Sequence, residues 1–140
     1  MARSVQVTFD ASDSHDLAAW RADLLGDEVE DGHDVIAGLL RDGVIGEEIV
    51  TRIDGRLRFA DACAAGDPDG SGPRLFVQRV PEPKTAKNRA HLDIRVAQDD
   101  LDAEVERVVA AGATLVGFDS HPGQRWAVLQ GPDGNEFCLT

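Results

Sequence analysis

The order strand, helix, Pro-Asp-Gly turn, strand occurs twice in this chain, and a chain that repeats one such unit has few folds open to it. In the first copy VQVTFD alternates, with Val5, Val7 and Phe9 on one side and Gln6, Thr8 and Asp10 on the other, the period of a half-buried strand. Ser12, Asp13 and Ser14 then offer capping oxygens. Leu17, Trp20, Leu24 and Leu25 follow at helical spacing and stop at Gly26, which makes Trp20 a packing residue. In the second copy HLDIRV sets Leu92, Ile94 and Val96 against His91, Asp93 and Arg95. Asp99 and Asp100 supply its cap, and Leu101, Val105, Val108 and Val109 form the stripe of a helix ending at Gly112. Each copy reaches its turn, Pro68-Asp69-Gly70 or Pro132-Asp133-Gly134, ahead of a closing strand, RLFVQRV or EFCLT. Trp126 to Leu129 form the penultimate strand of the second copy.

The copies differ in length, because about 20 more residues separate Gly26 from its turn than separate Gly112 from its own. The surplus predicts an insertion over about 31–65, with a short helix at HDVIAGLLRDGVI and strand signals at IVTRI and RLRF around Asp54-Gly55. This piece is expected beside the mouth of a cleft. At 140 residues the chain suits one domain, with module one over about 1–83 and module two over about 88–140.

Acidic residues outnumber basic ones 26 to 14, for a formal charge of −12, so nucleic acid and anionic membrane surfaces are poor candidates as partners. The same field favours a cationic ligand or simply keeps the protein in solution. The basic cluster Lys84, Lys87, Arg89 is short, broken by prolines, and reads as a solvated connection. No apolar run approaches the roughly 20 residues that span a bilayer, and Met1 to Asp10 lacks a signal-like pattern, which places the expected location in the cytoplasm. Cys63 and Cys138 are far apart, without CxxC or Cys/His spacing, so reduced thiols are expected.

The apolar sides of the strands must meet the two helices, which sends the polar sides to the opposite face of the sheet. Gln6, Thr8, Asp10, His91, Asp93 and Arg95 therefore share a surface, joined by Glu136 and Cys138 because Phe137 and Leu139 take the helix side. Plain solvent exposure explains such a face as well as chemistry does. Duplicated units, however, tend to leave a groove where ligands bind. One histidine and one glutamate are half of a divalent-metal site by spacing alone.

NRAHLDIRV with its capped helix, AAGATLV, and the terminal WAVLQGPDGNEFCL resemble the second module of the vicinal oxygen chelate superfamily, the glyoxalase and bleomycin-resistance group. VQVTFDASDSHDLAAWRADLLG through GPRLFVQRVPEPK is similar to a first module of its glyoxalase-like branch. The resemblance implies an α+β fold of two βαβββ modules forming an open, cleft-containing mixed β-sheet, with the insertion as an added helix and hairpin. It implies a divalent ion (Zn, Ni, Mn or Fe) held by His91, Glu136 and Gln6, with Glu136 as ligand or base. The fourth position falls on Leu75 or Val77, which cannot bind metal, and Gln78 is expected to need a register change or bulge to reach the cleft.

Metal there would chelate two neighbouring oxygens of a small molecule, as in a lyase, isomerase or dioxygenase of this superfamily. Asp93, Asp10 and Arg95 would orient the substrate unless Arg95 pairs with a carboxylate across the sheet. Thr8 and Cys138 share their face, and Trp126, Phe76 and Phe59 are the available stacking surfaces. The competing function is non-catalytic binding and sequestration of a drug-like compound. A homodimer is implied by resemblance alone.

Overall fold

The computed structural model describes residues 3–140; Met1 and Ala2, the first residues of the opening stretch, lie outside them. The chain divides into two compact units, one ending at Pro81 and the other spanning Glu82–Thr140. The first contains β1 (Gln6–Ala11), α1 (Ser14–Leu25), β2 (Glu28–Val29), α2 (His33–Arg41), β3 (Val50–Ile53), β4 (Arg56–Phe59), β5 (Ala62–Gly66) and β6 (Arg74–Arg79). The second contains β7 (Leu92–Ile94), α3 (Leu101–Ala110), β8 (Thr114–His121), β9 (Gln124–Gln130) and β10 (Glu136–Leu139).

The strand orders are β1-β6-β5-β2 and β7-β10-β9-β8, so in each unit the closing strand lies between the first and the penultimate. In each unit the first and last strands run parallel and the other neighbours antiparallel. This is the expected βαβββ plan made twice. The β3–β4 hairpin forms a sheet of its own and, with α2, makes up the expected addition to the first unit.

The local reasons are those of the sequence. Asp13 caps α1, its Oδ1 accepting the backbone N–H groups of His15 and Asp16 at 2.9 Å each. Removing it with Asp13→Ala is expected to cost about 1 kcal/mol, read from urea unfolding at pH 7. Both Pro-Asp-Gly turns close alike: Gly70 N–H donates to Asp67 O at 2.8 Å and Gly134 N–H to Gly131 O at 2.9 Å. The glycines carry φ of 70° and 80°, left-handed values that explain the residue type.

Leu17 and Ala18 of α1 pack on Ala11, Cys63 and Val77, with Phe9, Trp20 and Val29 around them. In the second unit Leu101, Val105 and Val108 are buried, as are Ala127, Leu129, Phe137 and Leu139 on the strands. Arg21, although charged, is buried in α1 with its guanidinium 4.4 Å from the Phe9 ring centre.

Three local expectations are corrected. Val5 lies outside β1 and is exposed, because the β1–β6 ladder begins at Gln6 opposite Arg74. Val109 is exposed rather than part of the α3 stripe. Asp100 makes no side-chain cap; a 3-10 turn over Gln98–Asp100 leads into α3 instead. Lys84 is exposed within a segment that has neither helix nor strand, as expected, and its Nζ donates to Glu136 and to the Ala86 carbonyl.

Candidate functional site

In the second unit, α3 packs against β8 and β9, and the opposite face of the sheet carries the polar side chains. Parallel register places Cys138 beside Asp93 and Phe137 beside Leu92. Residues two apart on a strand share a face, so His91, Asp93 and Arg95 of the β7 segment line up with Glu136 and Cys138 of β10. Antiparallel pairing of Cys138 with Val128 brings Trp126, two residues on, to the same side.

On that face one corner has the makings of a metal centre. The ligand atoms of His91, Asp93 and Cys138 all lie within 4.8 Å of one another, the one such group of His, Cys, Asp and Glu among the described residues. His91 Nε2 stands 3.2 Å from Asp93 Oδ1. Cys138 is buried, and burial first, then the Asp93 carboxylate, pushes its thiol pKa up. Cys138 is the buried member of the group, and His91 and Asp93 are open to solvent. A nitrogen, a carboxylate oxygen and a sulfur suit a borderline divalent ion such as zinc, and three protein donors leave coordination positions open.

Glu136 shares the face but is committed elsewhere. Its Oε1 accepts from Lys84 Nζ at 3.1 Å and its Oε2 from the Asn88 backbone N–H at 3.0 Å. The Asn88 hydrogen bond foremost, with help from Lys84, holds its pKa down at about 2. Asn88 Nδ2 also donates to Asn135 Oδ1 at 2.7 Å, tying the 82–91 segment to the turn before β10. Arg95 forms no ion pair among the described residues, so the alternative of a cross-sheet Arg95–carboxylate pair is not what the structure has. Arg95 and Asp93 instead line an open polar depression with Gln98 and Gln124. Trp126 is half-buried and faces the His121 ring at 5.2 Å.

In the first unit Gln6, Thr8 and Asp10 are exposed on the face opposite α1, paired in parallel register with Arg74, Phe76 and Gln78. Leu75 and Val77 point to α1 and are buried. Gln78 thus reaches the open face with no bulge, a correction to the expected register change, and its Nε2 donates to Asp10 Oδ1 at 2.7 Å. Gln6 Oε1 accepts from Arg74 Nη1 at 2.6 Å, and Arg74 grips Glu30 through Nε at 2.6 Å and Nη2 at 2.7 Å. Any cation at Gln6 would compete with that guanidinium. Arg74 and Glu30 are functional candidates that sequence reading missed; the one signal for Arg74 was its place at the start of the closing strand.

A glyoxalase-like domain profile matches residues 6–140. No curated protein matches the chain significantly in sequence. Among solved structures it is similar to a glyoxalase/bleomycin resistance protein/dioxygenase family enzyme from Burkholderia phytofirmans PsJN, at 17% identity and TM-score 0.66 over 99% of this chain and 97% of that one. It is also similar to a mutant of the fosfomycin resistance protein FosX from Listeria monocytogenes, complexed with Mn(II) and a dihydroxypropylphosphonic acid, at 11% identity and TM-score 0.64 over 99% and 89%. A third is the oxidase ChaP-H2, at 18% identity and TM-score 0.59 over 99% and 92%. The neighbours share its fold of two βαβββ units, and by the profile match over residues 6–140 the chain belongs to the glyoxalase-like domain family.

Proposed function

We propose that this protein is a divalent-metal-dependent enzyme acting on a small molecule with two neighbouring oxygens, and that His91, Asp93 and Cys138 hold the metal. The observation that carries this reading is the mutual approach of those three ligand atoms within 4.8 Å. Such a cation, when bound, supplies Lewis-acid stabilisation of a developing oxyanion. The protein's own contribution is positional. Asp93 Oδ1 stands 3.2 Å from His91 Nε2, and the open face of β10 presents the Cys138 sulfur beside them. Arg95, which forms no ion pair among the described residues, is the group on that face able to bind an anionic substituent of the substrate.

Glu136 is assigned as a brace rather than a base. A carboxylate held at about 2 is too weak a proton acceptor to work well near neutrality. Thr8 and Asp10 stand on the open face of the first unit, where Asp10 accepts from Gln78.

A second reading is binding without turnover. Metal analysis of protein purified without chelator separates the two. The enzyme reading expects one zinc, iron, nickel or manganese per chain and a melting temperature that rises when that ion is added. No bound metal, together with a melting rise on adding hydrophobic cationic compounds, would favour sequestration instead.

A further inference from the structure

The insertion in the first unit does more than lengthen it. With β5 and β6 it encloses a partly open hollow of about 140 Å³. Ala64 and Phe76 contribute from the sheet, Ile36 from α2 and Phe59 from β4, while Arg58, Arg74 and Glu30 bring charge to an otherwise apolar lining. The wall is braced. His33 Nδ1 accepts the Leu57 N–H at 2.9 Å, joining α2 to the hairpin. His15 Nε2 donates to the Phe59 carbonyl at 2.9 Å, joining the hairpin to α1.

The charges in the lining do not cancel. Both Glu30 oxygens are taken by the Arg74 fork, and that contact first of all holds the Glu30 carboxyl below its usual range. Arg58 Nη1 donates to the Glu30 backbone carbonyl at 2.6 Å, and no carboxylate ion-pairs with Arg58 among the described residues. One positive charge is thus left over beside an apolar space. The chain's net charge of −12 works against anions at long range, but screening over about 8 Å at physiological ionic strength lets the nearest charges decide.

We infer that this hollow binds a monocyclic aromatic carboxylate, with its ring against Phe76 and Ile36 and its carboxylate on Arg58. Size supports one ring, since an apolar cavity of about 150 Å³ holds benzene. Charge supports the carboxylate, because guanidinium has further N–H donors in a fork that matches two carboxylate oxygens. A neutral ring would leave Arg58 unused, and a cationic one would be repelled by it.

The test uses the full chain in chelator, so that its outcome is independent of the metal reading, with benzoate, benzyl alcohol and benzylamine as probes. In amide NMR titrations benzoate is expected to give saturable shifts concentrated at residues 30–36, 57–64 and 74–76. It should bind at least about tenfold more tightly than benzyl alcohol, the worth of a charge-assisted contact. Arg58→Met should remove that advantage and leave benzyl alcohol binding as it was; Ala64→Leu, which fills the hollow, should remove binding of both. Absence of saturable benzoate shifts, shifts centred elsewhere, equal or tighter binding of benzylamine, or an Arg58→Met protein that still prefers benzoate would each overturn the assignment.

Discussion

His91→Ala is expected to lower zinc affinity at least about 100-fold relative to the unaltered protein, as is Cys138→Ser. The expectation follows from the ligand count: three donors within 4.8 Å become two, and two side chains rarely hold a divalent ion. Isothermal titration at fixed pH reads the change directly. Arg95→Gln serves as the control, because Arg95 is on the same segment but outside the cluster, and its zinc affinity should stay within a few-fold. Glu136→Gln makes the sharper comparison. If it abolished zinc binding while Cys138→Ser did not, the third ligand would be Glu136 and the proposed centre would be wrong.

Glu136→Gln is also expected to destabilise the chelator-treated protein at pH 7 by up to about 3 kcal/mol, from a carboxyl held at about 2 against an ordinary 4.5. Because the folded pKa is depressed, the carboxylate's contribution is fully present above about 4.5 and is lost as pH falls toward about 2. The deficit of the variant should therefore be constant from neutrality down to about pH 5 and shrink below it. Urea unfolding of both proteins at a series of pH values measures this. Curves that stay parallel through the acid range would show that Lys84 and Asn88 do not stabilise the charged form.

Much of this molecule was legible in its residues. Alternation in VQVTFD and HLDIRV separated the α1-facing from the open side of β1 and the half-buried from the exposed side of β7, because strand geometry sends successive side chains to opposite faces whatever lies next door. Capping residues and glycine stops located α1, and Asp54-Gly55 between two apolar stretches located the β3–β4 hairpin. The insertion was visible as surplus length. Its role in enclosing a hollow was not, since Ile36, Phe59 and Phe76 are separated in sequence and meet only through packing.

The same limit explains the site. That His91, Asp93, Glu136 and Cys138 share one face follows from period two alone. Which of them touch follows from the β7–β10 register, which sets Cys138 against Asp93, and from the 82–91 segment, whose Lys84 and Asn88 take both oxygens of Glu136. Likewise the pairing of Gln6 with Arg74 comes from the β1–β6 register.

Sequence by itself determined the repeated unit and the side of the sheet on which each polar residue stands, because both depend on periodicities within a few neighbouring residues. Only the tertiary structure decided which polar groups become partners. Those pairings join positions 44 to 68 residues apart, and strand register and loop packing, not local spacing, bring them within hydrogen-bond reach.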